Sequence, residues 1–251
     1  MLTCLDYRGN FSKFYQPTGS NMSTTIHTIS STQDSNSFFH WCKLAFQLFR
    51  KAPFTMIGLS LAIMIISGVF QILPAPYGVV ISKIVGAMLV PLLWIVMDQV
   101  SEHGRFKFES LKQYTGYVKL PLLAAVMLLP TIAQVITAAI MLGEQGVDLI
   151  LFGVIATTSP LQVAIIFASA APIMLIFMFA PAFVLLKQQR VIAATKNSIK
   201  IVLKTFSLML PILLINAFVL FLAPFTLALS AIILGPWLGC LTYITYKELC
   251  H

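Results

Sequence analysis

The chain has 251 residues, of which 59% are hydrophobic and only 10% charged, and its mean hydropathy is +0.92. Soluble domains carry roughly 25% charged residues, so most of this surface cannot face water. The formal charge of +8 does not point to nucleic acid, because the basic residues flank apolar stretches with no zinc spacing or RNP-type aromatic pattern. The fold class that follows is all-α and polytopic, with about 20 apolar residues needed for each helical crossing of a bilayer.

In chain order, residues 1–37 are rich in Ser, Thr, Asn and Gln and have no sustained apolar period. Such a segment buries too little surface to offset chain entropy, and it reads as a disordered cytoplasmic tail. No basic stretch followed by an apolar one marks a cleavable leader, and Met22 is an alternative start. The membrane domain occupies 38–251. It opens on 38–52, where Phe38, Trp41, Cys42, Ala45, Phe46, Phe49 and Ala52 recur at helical spacing opposite His40, Lys43, Gln47, Arg50 and Lys51. An aromatic face against a basic one fits a helix lying in the membrane interface. A helix packed on the protein's own cytoplasmic side is the alternative.

Six spans are expected, at about 54–73, 77–97, 119–141, 161–186, 206–222 and 225–245. Pro74-Ala75-Pro76 separates the first two and Ala223-Pro224 the last two, the latter as a tight helical hairpin. Residues 147–158 are apolar but too short to cross, and fit a re-entrant or surface segment or an extension of the fourth span. Every Lys and Arg except Lys83 falls before the first span, between the second and third, between the fourth and fifth, or after the sixth. The opposite loops carry only Glu144 and Asp148. Basic residues stay on the cytoplasmic side of short loops, so both termini are expected there.

A threefold pattern runs through this layout. Lys51-Ala-Pro53, Lys119-Leu-Pro121 and Lys204 with Pro211 introduce the odd spans, and Pro91, Pro181 and Pro236 interrupt the even ones. Segments 105–119 and 190–204 repeat the amphipathic theme of 38–52. The expected unit is therefore an amphipathic cytoplasmic segment followed by a helical hairpin, three times over. The stretches WCKLAFQLFRKAPF (41–54) and FAPAFVLLKQQRVIAATKNSIK (179–200) resemble a group of small bacterial inner-membrane protein families with about six spans. Those families are in turn similar to the membrane domain attached to some glycerophosphodiester phosphodiesterases. The resemblance covers 38–251, implies a bacterial inner-membrane location, and brings no functional residue with it.

Chemistry is sparse. All four histidines (27, 40, 103, 251) lie outside the spans, and neither an HExxH motif nor a paired intramembrane Asp is present. No enzyme, metal or cofactor is expected. Lys83 is the clearly intramembrane charge, costing on the order of 3 kcal/mol at a helix centre. Its stem would either carry the ammonium to the outer interface or place it in a buried site, with Glu144 or Asp148 as partner. Gln134 and Asn216 are costly to leave unpaired in lipid and complete a candidate transport path with Lys83. Candidate contacts to anionic lipid are Lys43, Arg50, Lys51, Lys112, Lys119, Arg190, Lys196, Lys200 and Lys204, of which 196, 200 and 204 share a helix face. Two roles follow. The first is a non-enzymatic membrane-structural or accessory protein, held by anionic lipids and open to homo-oligomerisation. The second is a transporter of a small solute or lipid.

Overall fold

A computed structural model describes residues 34–107, 115–153, 158–226 and 229–250, with the side chains of 34–37, 115 and 116 left aside. Among the described residues the chain is helical throughout, without a strand. Five stretches are long and apolar enough to cross a membrane: Pro53–Phe70, Tyr77–His103, Tyr117–Leu142, Pro160–Leu185 and Leu229–Cys250. A sixth is counted if Val191–Lys204 and Phe206–Leu222, bent at 101° to one another, form a single unit.

Only the first and last of the five are single helices. Helix α1 (Asp34–Lys51) leads into α2 (Pro53–Phe70); the second stretch divides into α3 (Tyr77–Leu89) and α4 (Leu92–His103). A 3-10 turn (Thr115–Lys119) begins the third, which continues as α5 (Leu120–Met127) and α6 (Leu129–Leu142). Helix α7 (Glu144–Phe152) stands between, and the fourth stretch is α8 (Pro160–Ala168), α9 (Ala171–Phe177) and α10 (Ala180–Leu185). Then come α11 (Val191–Lys204), α12 (Phe206–Leu222) and α13 (Leu229–Cys250).

Proline explains the divisions. Pro91 stands directly before α4, and Pro130, Pro172 and Pro181 are each the second residue of a new helix, where the missing N–H costs least. In a bilayer the carbonyls and amides released at such breaks need partners. One break has a dedicated one: Ser198 of α11 accepts a hydrogen bond from the Phe179 amide at 3.2 Å and donates to the Ile176 carbonyl at 2.8 Å. Its hydroxyl thereby bridges the gap between α9 and α10.

Several expectations need correction. Helix α1 begins at Asp34, four residues before the expected boundary. Its Trp41, Ala45 and Leu48 are buried, chiefly against α13, while Phe39 and Phe46 are exposed. The predicted apolar face is thus divided: one stripe packs on the protein and another looks outward. Residues 147–152 belong to α7, which turns back at Gly143 (φ +63°) and lies so close to α6 that a side chain at Gly146 would collide with the Ala138 carbonyl. It is no extension of the fourth span, because Ser159 and Gln162 form a capping box that starts α8 afresh. Residues 1–33 of the tail and 108–114 of the middle amphipathic segment, Lys112 among them, lie outside the described residues.

The surface agrees with lipid contact. Ile65, Val69, Ile84, Ile132, Ile136, Ile140, Leu214, Phe218 and Ile233 all face outward. Soluble monomers rarely expose large apolar areas.

Candidate functional site

The two halves of the bundle are built differently. At the end where α1 meets α13, side chains converge into a filled layer. Tyr246 packs against Trp94, Phe179 and Phe183 with ring centroids 5.6, 6.0 and 5.5 Å away, and Tyr243 lies 6.1 Å from Trp94. Both tyrosines and both phenylalanines are fully buried. Tyr243 donates to Asp98 Oδ1 at 2.7 Å, and Lys247, one helical turn on, approaches the same oxygen at 3.3 Å and Glu102 at 3.9 Å. The i, i+4 spacing puts both partners on one face of α13, so α4 and α13 are clasped at their ends. Nothing around Asp98 in the sequence points to Tyr243, 145 positions away.

Further basic residues close the same end. Lys187 donates to the Cys250 carbonyl at 2.9 Å and lies over the Phe183 and Tyr246 rings. Lys119 donates to the Gln188 carbonyl at 2.7 Å, and Lys51 to the Ser101 carbonyl at 3.5 Å. Lys51 and Lys119 were expected as lipid contacts; here they hold carbonyls of other segments. Lys43, Arg50, Arg190, Lys196, Lys200 and Lys204 are exposed, with Arg50 5.9 Å above the Phe46 ring. Burial pushes the Cys42 thiol above its ordinary range, so it stays protonated at neutral pH.

Beyond the aromatic layer the bundle opens into a cavity of about 910 Å³. Trp94 and Met97 line it on the aromatic side. The breaks described above border it, through Val90, Leu128, Ala170 and Pro181. Irregular backbone at membrane depth is tolerated where it lines such a space. Lys83, Gln134 and Asn216, from α3, α6 and α12, all lie on its wall. Lys83 shares its stripe with Ala87 and Val90, and forms no ion pair with Glu144 or Asp148. Gln134 Nε2 donates to the Phe167 carbonyl at 3.4 Å, and Asn216 Nδ2 to the Ile212 carbonyl at 3.0 Å. Each carboxamide therefore has one N–H engaged and one available.

Around these three the wall carries further polar and small residues. Ser67 Oγ is buried there without a hydrogen-bond partner. Gln71 donates to Ser82 at 3.1 Å, joining α2 to α3. Two small-residue patterns, Ser82-x-x-x-Gly86 and Gly235-x-x-x-Gly239, differ in surroundings: a methyl group at Gly86 would come 3.3 Å from Ser67 Oγ, whereas one at Gly235 would meet open space. Ser82-x-x-x-Gly86 thus serves close packing of α2 on α3. Gly235 and Gly239 instead form cavity wall on α13. The signal was legible only in part, since a GxxxG pattern reads as helix packing by default.

No protein-family model matches the chain, and neither a curated protein nor a solved structure does.

Proposed function

We propose that the chain is a six-span integral membrane protein that takes a small amphipathic molecule into its intramembrane cavity and passes it across or out of the bilayer. One observation carries this reading: three polar side chains from distant helices, each costly in lipid, line one space of about 910 Å³. That volume is near the upper end of the roughly 300–1,000 Å³ typical of small-molecule sites. Discontinuous helices bordering a site are also a recurring feature of membrane transporters. In this proposal the basic end faces the cytoplasm, with both termini there and the spans arranged as three hairpins. Membership in the inner-membrane families resembled by 41–54 and 179–200 belongs to the same proposal.

A second reading, the membrane-accessory role, is favoured by α11. It meets α12 at 101° and exposes Lys196, Lys200 and Lys204 beside Ile192 and Leu203. A basic, apolar-edged helix at right angles to a span suits the headgroup layer of anionic lipid. It is compatible with the first.

The test is thermal stabilisation of purified protein by a panel of amphiphiles and solutes, with Gly235→Leu as the plugged control. A ligand at 100 times its Kd adds about 2.7 kcal/mol, well within detection. We expect stabilisation of the wild type and none of Gly235→Leu, with both variants equally folded in the absence of ligand. Equal stabilisation of the two, or of neither by any compound, would remove the cavity from the function.

A further inference from the structure

We infer that the cavity binds an amphipathic anion, a single hydrocarbon chain bearing a carboxylate or phosphate, with its head at Lys83. This rests on the proposed role of the cavity and adds the chemistry of its occupant.

The wall is electrostatically one-sided. Lys83 is its one charged residue among the described residues, and no Asp or Glu lines it. Lys83 is an exposed side chain at the cavity's edge with no hydrogen-bond or ion-pair partner within the described residues, although Glu144 and Asp148 of α7 are both described. An ammonium within a span favours a counter-charge, and the described residues provide none there. Neighbouring polar groups can add donors: the Ser67 hydroxyl and the second N–H of Gln134 and of Asn216, beside carboxamide oxygens that can accept. A cationic ligand would meet repulsion from Lys83. A neutral one would leave the ammonium unpaired, whereas a carboxylate or phosphate would satisfy charge and donors together.

The rest of the wall suits a hydrocarbon chain. Met64, Met97, Met127, Met174 and Met178 line it, five of the 11 methionines in the chain. Methionine is unbranched and polarisable, and surfaces rich in it accept apolar partners of varied shape. Gly235 and Gly239 keep the α13 side open. The cavity therefore combines a fixed cationic point with an adaptable apolar sleeve.

Four probes with one dodecyl chain separate head from tail: dodecanoate, dodecyl phosphate, dodecanol and dodecyltrimethylammonium. Each is titrated into the full chain in nanodiscs of zwitterionic lipid, for wild type, Lys83→Met and Lys83→Arg. In the wild type one or both anions should bind at least about tenfold more tightly than the alcohol and the ammonium compound. Lys83→Met should bring the anions down to the level of the alcohol, and Lys83→Arg should keep the preference. Continued binding of dodecanol by Lys83→Met shows that the variant is folded. Whether carboxylate or phosphate binds more tightly decides between a fatty-acid-like and a phospholipid-like occupant. If the alcohol or the ammonium compound equals the anions in the wild type, or if Lys83→Met keeps the preference, the anion assignment falls while the cavity remains a binding site. If no dodecyl compound binds any variant, the proposed function falls with it.

Discussion

The aromatic end and the cavity are neighbours that share Trp94, yet they handle polar groups in opposite ways. At the aromatic end Asp98 is answered by Tyr243 and Lys247, and Lys187 by the Cys250 carbonyl, between rings that fill the space. Across Trp94, the exposed Lys83 lies on the cavity wall without a partner among the described residues. The first arrangement is that of groups that hold a bundle together. The second leaves a destabilising cost in place, a condition that persists where the group serves something other than stability.

Substitutions should break this contrast in a definite order. Phe183→Ala, at a fully buried ring in the aromatic layer, should cost about 3–5 kcal/mol, seen as a collapse of the thermal midpoint in detergent. An unchanged midpoint would mean that the layer does not bear on stability. Asp98→Ala leaves the Tyr243 hydroxyl without its acceptor and should cost about 1–3 kcal/mol by the same measurement. The carboxylate is 15% exposed, so the ion pair with Lys247 adds less than a fully buried one would. In the cavity, Lys83→Met and Asn216→Leu should shift unliganded stability by no more than about 0.5 kcal/mol, or raise it. A loss as large as that of Asp98→Ala would show that these side chains are structural and would erase the distinction between the two regions.

Much of the fold is readable along the chain because it depends on local composition. Apolar runs of about 20 residues mark the five long stretches, whereas the expected fifth span, 206–222, coincides with α12, which counts toward a crossing only together with α11. Ser159 and Gln162 could have been recognised as a capping box, since both residues and the following apolar run are adjacent in sequence. Lys83, Gln134 and Asn216 were grouped as one candidate path because lipid tolerates each poorly. Which helix faces bring them to one space was not legible, because Lys83 and Asn216 are 133 positions apart and no periodicity links α3 to α12. The same holds for Ser198, an ordinary small polar residue on an amphipathic helix until the break between α9 and α10 is placed against it. In α1 the apolar pattern was plain, but its division between Trp41 packed inward and Phe46 facing out depends on where α13 lies.

What the amino-acid sequence by itself determined is therefore the solvent of each segment: which stretches belong in lipid, which carry the basic charge, and where proline interrupts a helix. Those are properties of composition and of covalent geometry, and they need no neighbour. Only the tertiary structure decided that α2, the three interrupted stretches, α12 and α13 border a cavity, and that Lys83 lines it with no counter-charge among the described residues. Side-chain partnership depends on helix rotation and distance, which are set by packing between segments far apart in the chain.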